Sequence, residues 1–249
     1  MLVKTRGIVL HSVRYGDTSL IVEMFTEMQG CMSFMVHIPK SRTSKIKKQM
    51  FQPMTILDME CDVRQSSRLH HLCEVRLAVP YINLPFDAYK LSMSFFVAEF
   101  LHCTLRNEQQ NLPLFQYLVS SFCWLDASMD SYSNFHLVFL MRLSRFLGFY
   151  PNLEGYINGD YFDLRGSCFI GARPFHSDFL EPEEASRIHI MMRMNYETMH
   201  LYTMSREERN RCIEVMMSYY RLHIPAFPEM KSLPEIGRAS CRERVLIRV

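Results

Sequence analysis

The chain has 249 residues, 48% of them hydrophobic and 22% charged, with 9 Gly and 11 Pro. That aliphatic and aromatic content excludes a disordered chain, and the sparse glycine excludes collagen-like and low-complexity classes. The formal net charge is only +2, and no apolar run reaches the roughly 18 residues of a membrane span. The opening Met1-Leu-Val-Lys-Thr-Arg-Gly lacks the charged-then-apolar layout of a secretion signal, so a cytoplasmic protein with no membrane association is expected.

The first eighty residues read as strands. Leu2 to Val13 is rich in Val, Ile and Thr, with Gly7 as a bulge or bend in a closed sheet. Tyr15-Gly16-Asp17 is a turn, Ser19 to Thr26 a second strand, and Met28-Gln29-Gly30 a second turn. Met32, Phe34 and Val36 form one face of a third strand, and Phe51 to Cys61 and Leu72 to Val79 supply a fourth and a fifth. Five short strands in so small a unit predict a closed barrel of the OB type, which hides its edges by closure.

Between the third and fourth strands runs Pro39-Lys-Ser-Arg-Thr-Ser-Lys-Ile-Lys-Lys-Gln49, with Lys40, Arg42, Lys45, Lys47 and Lys48 and no acid. Such a cluster attracts phosphate and releases counterions on binding, and Ser41, Thr43 and Ser44 can add hydrogen bonds to phosphate oxygens. A solvated surface loop is the competing reading. Tyr15, Phe34 and Phe51 nearby can stack on unpaired bases, although core packing is the first reading for each.

From Pro80 the period becomes helical. Phe86 to Leu105 places Leu91, Phe95, Ala98, Leu101 and Leu105 near helical spacing, and Leu112 to Ala127 follows with Pro113 in its first turn. Asn134 to Leu147 is capped by Ser133 or Asn134 and ends at Gly148. Residues 151–178, with four glycines, make an irregular or short-stranded insertion. Pro182 opens a fourth helix to about Met194, and Ser205-Arg-Glu-Glu is a capping box introducing a fifth, through Tyr220. The fold class is therefore α+β, an OB-type barrel over residues 1–80 followed by a helical domain over 81–235. Charge divides the same way. Residues 1–80 hold 11 Lys and Arg against 7 Asp and Glu, a net of +4, and residues 81–235 hold 13 against 18, a net of −5.

The last residues, 236–249, read IGRASCRERVLIRV, a basic stretch with no apolar period. They look like a translated sequencing-adapter read rather than part of the fold, the alternative being a basic tail that binds nucleic acid.

Enzyme and metal chemistry find little support. The eight cysteines are scattered with no C-x-x-C, and His70-His71 read as a surface turn rather than ligands. Asp160 and Asp163 do not complete a calcium loop, and neither a G-x-x-x-x-G-K-[ST] loop nor a G-x-S-x-G elbow occurs.

Three segments in order carry a resemblance: TRGIVLHSVRYGDTSLIVEMFTEMQG (5–30), NFHLVFLMRLSRFLGFYPNLEG (134–155) and YYRLHIPAFPEMKSL (219–233). Together with the barrel-then-helices order they are similar to the bacterial RecO family of recombination mediators, over essentially all of residues 1–234. The resemblance implies an OB domain that binds single- and double-stranded DNA and anneals complementary strands. It also implies partnership with RecR, contact with the C-terminal tail of single-stranded DNA-binding protein, loading of RecA as the outcome, nucleoid association, and no enzymatic activity. The phosphate contacts are assigned to the 40–48 loop, supported by Lys4, Arg6 and Arg14. The acidic tail of the single-strand binder is assigned to Arg142 and Arg145 on the third helix, beside Phe139, Leu143 and Phe146, with solvent-facing arginines as the bland alternative. Many family members carry a zinc site whose cysteines stand where this chain has Tyr156 and Gly159, so no zinc and no other cofactor is expected. The alternative function is a protein-interaction adaptor of the repair machinery with little direct DNA binding.

Overall fold

The computed structural model describes residues 2–39, 41, 46–63, 67–234 and 236. They form two compact units, one made of the chain up to Ala127 together with the segment from Glu229, the other of Ser128–Pro228.

The first unit begins with five strands: β1 Leu2–Tyr15, β2 Ser19–Thr26, β3 Gly30–His37, β4 Ile56–Asp62 and β5 Leu69–Leu77. They close in the order β1-β2-β3-β5-β4 with β4 back on β1, and only the β3–β5 pair is parallel. Alternation builds this barrel: Val22 and Met24, Met32 and Phe34, and Met59 and Cys61 point inward, while Glu23, Ser33 and Glu60 point out. The long β1 serves two neighbours, pairing with β4 over its first half and β2 over its second, with Gly7 and Ile8 in both ladders.

Several sequence expectations are corrected here. The bulge in β1 lies between Val9 and His11, not at Gly7. At Gly7 a Cβ would come within 2.7 Å of the Met59 Cε, so the missing side chain lets the barrel close on its methionines. The fourth strand starts only at Ile56, because Lys48–Phe51 coil into a short 3-10 turn and Met54 adopts φ 66°, its N–H donating to the Val9 carbonyl at 2.7 Å. The fifth strand begins at Leu69, which places His70 and His71 within a strand rather than a turn.

Gly30 shows how tightly the barrel is bounded. It has φ +73°, and an added Cβ would lie 2.4 Å from the Glu108 carbonyl oxygen, whose partner is the Cys31 N–H at 3.0 Å. Gly30→Ala is expected to destabilise the first unit by about 2–3 kcal/mol, read as a lower urea midpoint at unchanged m-value.

Two helices complete this unit, α1 Ala88–Thr104 and α2 Leu112–Ala127. Asp87 caps α1, accepting the N–H groups of Tyr89 and Lys90 at 2.8 and 3.0 Å. The buried face of α1 holds Met93, Phe96, Val97, Phe100 and Leu101. Of the expected stripe Ala98, Leu101 and Leu105 are buried, whereas Phe95 is exposed and Leu91 half-buried, so only its first half is turned away from the core. The Asp126 carboxylate at the end of α2 accepts the N–H groups of Ile82 (3.0 Å), Asn83 (2.9 Å) and Leu84 (2.7 Å). The buried Lys90 ammonium donates to the Asp126 carbonyl at 3.0 Å. Far along the chain, Lys231 and Ser232 donate their N–H groups to the Glu99 carboxylate on α1, both at 2.8 Å, and Met230 and Ile236 are buried.

The second unit holds α3 Phe135–Phe146, a small sheet of β6 Tyr161–Asp163, β7 Cys168–Ile170 and β8 Phe179–Leu180 in the order β7-β6-β8, then α4 Pro182–Arg193 and α5 Arg206–His223. The expected capping box is present, with the Glu208 N–H donating to the Ser205 Oγ and the Ser205 N–H to the Glu208 carboxylate. Asn134 precedes α3 without a side-chain cap and instead donates its Nδ2 to the carbonyls of Met199 and Tyr202, at 3.1 and 2.8 Å. The insertion is tied to α5. The Tyr219 hydroxyl bonds Ser167 at 2.6 Å and the Phe149 carbonyl, and the His223 imidazole bonds the Leu164 carbonyl at 2.8 Å and stacks on Phe149. Among the described residues no helix is long and apolar enough to cross a membrane.

Candidate nucleic-acid interface

Strand directions decide which of the expected residues meet. β1 and β3 end, and β2 and β4 begin, at one end of the barrel, so the β1–β2 turn and the β3–β4 connector share that end. The Ile38 N–H joins them, donating to the Thr18 carbonyl at 2.7 Å. Lys40, Arg42 and Lys45 lie outside the described residues. Lys47 and Lys48 are exposed, and no carboxylate of the described residues is within ion-pair distance of either. The residues around them anchor the connector, since Ile46 and Met50 pack on the barrel core and Phe51 is buried within it.

Arg14 reaches the same end. It donates its Nε to the Gly16 carbonyl at 3.1 Å and pairs with the exposed Asp17 at 3.6 Å. Of the three aromatic side chains near the connector, Phe34 and Phe51 are buried and Tyr15 is 57% exposed. Core packing therefore holds for the two phenylalanines and fails for Tyr15, which lies on the outer face because the bulge between Val9 and His11 shifts the alternation of β1.

Lys4 and Arg6 belong elsewhere. They stand near the start of β1, about 25 to 35 Å along the strand from Arg14, in a groove of about 440 Å³ on the outer face of β1, β4 and β5. The register sets their partners, aligning Lys4 with Glu60 and Glu74, and Arg6 with Asp58 and Arg76. Lys4 pairs with Glu60 at 3.5 Å and Arg76 with Asp58 at 3.2 Å. The Arg6 guanidinium grips both Glu27 oxygens at 2.7 and 2.9 Å and lies 5.3 Å over the Phe115 ring. That hydrogen bond holds the Glu27 carboxyl below the usual carboxylate range. Three cations face four carboxylates here, so this groove has no surplus positive charge to offer phosphate.

The outer face of β1, β2 and β3 is partly covered by α1. His102 Nδ1 lies 2.9 Å from the Glu23 carboxylate, and the His11 and His102 rings are 4.7 Å apart. The His102 contact holds the Glu23 carboxyl low, while burial and the neighbouring His102 push the His11 imidazole down. Beyond this covered part, toward the connector, the face is open.

In the second unit Arg142 and Arg145 are exposed, and Arg145 lies 4.7 Å over the Tyr150 ring. Phe139 and Leu143 are fully buried, so the apolar surface beside the arginines comes from Tyr150 and the half-buried Phe146 and Leu147. Tyr150 had no signal in the spacing, because it follows the helix rather than lying on it. Among the described residues no group of three His, Cys, Asp or Glu can hold a metal ion. In the insertion Tyr156 packs against Phe169 at 4.5 Å, and next to Gly159 the Asp160 carboxylate accepts the Ile157 N–H at 2.8 Å.

A closed five-stranded barrel in this strand order, with cations and an exposed aromatic at one end, has the architecture of OB domains. Residues 1–81 match the family described as Recombination protein O N terminal, and residues 85–234 the one described as Recombination protein O C terminal. The chain belongs to the RecO family. It is 55% identical over 233 residues to the DNA repair protein RecO of Phocaeicola vulgatus and 50% identical over 234 residues to that of Bacteroides fragilis, covering 94% of this chain and 97% of each relative. The DNA repair protein RecO of Porphyromonas gingivalis is 28% identical over 242 residues, covering 95% of this chain and 98% of its own.

Proposed function

We propose that this protein is a DNA repair and recombination mediator that binds single- and double-stranded DNA through the connector end of its barrel. In this reading it anneals complementary strands and, with RecR, helps load RecA onto gaps coated by single-stranded DNA-binding protein. The observation that carries the reading is the pair of exposed, uncompensated lysines, Lys47 and Lys48, held against the barrel by Phe51 at the end that Arg14 and Tyr15 also reach. A fixed cationic end lowers the repulsion between two phosphate backbones while leaving base edges free to pair. No bond is made or broken, so the protein is not an enzyme, needs no zinc or other cofactor, and works in the cytoplasm on the nucleoid. The acidic tail of the single-strand binder is taken by Arg142 and Arg145, with Tyr150 and Phe146 as the apolar neighbours.

The test is strand annealing. Complementary labelled oligonucleotides, one coated with single-stranded DNA-binding protein, are expected to pair faster with the protein than without it. Equal rates would remove the mediator reading and leave an adaptor without direct DNA contact.

A further inference from the structure

Register places two rows of side chains on the open part of the β1–β2–β3 face. Tyr15 pairs with Ser19 and Ser19 with His37; one step further from the connector, Val13 pairs with Ile21 and Ile21 with Met35. All six lie on the outer side, since the intervening Leu20, Val22, Phe34 and Val36 fill the core. Tyr15, Val13 and His37 are exposed, and Ser19, Ile21 and Met35 are half-buried. None of the six carries a carboxylate. The nearest acids are Asp17, paired with Arg14, and Glu23, paired with His102 under α1.

We infer that this face is a stacking slot for unpaired nucleobases, with Tyr15 and His37 as its two walls, which lets the protein prefer single-stranded over double-stranded DNA. The inference rests on the nucleic-acid reading above and deepens it. Tyr15 and His37 stand two strand spacings apart, about 10 Å between backbones, and the small Ser19 between them keeps the space open. Val13, Ile21 and Met35 give the slot an apolar floor. Lys47, Lys48 and Arg14 border the same end, so a backbone held by the cations runs past the slot mouth. Charge complementarity selects the occupant: a polyanion bearing flat apolar faces fits a cationic rim around an aromatic slot, and a duplex, whose bases are stacked on each other, has no free face to insert. The groove on the other side of the barrel has the opposite character, with ion pairs and no exposed ring.

The experiment measures fluorescence anisotropy of a labelled oligothymidylate and of a labelled hairpin duplex, at several salt concentrations. The proteins are the full chain, Tyr15→Ala, Tyr15→Phe and the double variant Lys47→Gln/Lys48→Gln. Tyr15→Ala is expected to weaken single-strand binding by about 5- to 150-fold with its salt slope unchanged, to leave duplex binding as it was, and to be rescued by Tyr15→Phe. The side chain is exposed, so thermal unfolding of the variant should match the parent. If Tyr15→Ala binds the oligothymidylate as the parent does while the lysine variant weakens, the slot is wrong and the nucleic-acid reading stands. Parallel loss of duplex binding, or failure of Tyr15→Phe to rescue, also overturns the slot. If the parent binds neither probe, both ideas fall together.

Discussion

Asp126→Ala is expected to destabilise the first unit by about 3–5 kcal/mol, the range for removing one partner of a buried charged network. The carboxylate is the sole shared acceptor of three successive N–H groups, those of Ile82, Asn83 and Leu84, which form the bend between β5 and α1. Removing it strands those donors, and the buried Lys90 loses one of the two carboxylates, Asp87 and Asp126, that offset its burial. Urea denaturation followed by circular dichroism measures the loss, and a change below about 1 kcal/mol would show that the bend holds itself. The sign of the pH dependence follows. Burial alone would raise the Asp126 carboxyl, but the N–H groups of Ile82, Leu84 and Asn83 and the Lys90 ammonium outweigh it and hold it below its ordinary value. Its stabilisation is therefore present above the unfolded carboxylate range, near about pH 4, and is lost as pH falls through the folded value. Asp126→Ala should flatten the acid limb of the stability curve.

Lys47→Gln/Lys48→Gln should change how DNA affinity responds to salt. With five loop cations engaged on a single strand, log affinity falls against log salt with a slope of about −3.5, and removing two makes it about −2.1. Over a tenfold rise in salt the parent then loses about 3,000-fold in affinity and the variant about 100-fold. Lys4→Gln is the control. Its ammonium already faces Glu60 in the ion-paired groove, so the parent slope should persist. Equal slopes for the parent and the double variant would place the phosphate contacts away from the connector, and a reduced slope for Lys4→Gln would bring the groove back into the interface.

The fold was legible wherever a strong period met a clear terminator. β2 and α2 occupy the stretches expected from alternation and from Pro113, and the Ser205 capping box starts α5 as its spacing implies. Failures came where a distant partner decides. Lys4 and Arg6 read as available charges, because Glu60 and Glu27 become their neighbours only through strand register and the β2–β3 turn. Tyr15 read as a core ring because a sheet face needs large side chains, and the bulge between Val9 and His11 that sets it on the outer face left no sign in the sequence. In the α1 stripe Leu91 and Phe95 were misplaced, while Ala98, Leu101 and Leu105 are buried as expected, because apolar residues surround much of that helix and packing chooses among them. Asp126 and Glu99 gave no local sign of their roles, since their partners are backbone N–H groups 42 to 44 and 132 to 133 residues away.

That last contact has a consequence for biosynthesis. Because Glu99 receives its partners from Lys231 and Ser232, the amino-terminal unit is stitched shut by residues translated 132 and 133 positions after that carboxylate. On the ribosome the barrel can close early, but α1 must wait with an unfilled carboxylate until Lys231 and Ser232 have emerged. Nascent chains stalled before this point should therefore be more readily cut by protease than the finished protein, although every strand of the barrel is already outside the tunnel.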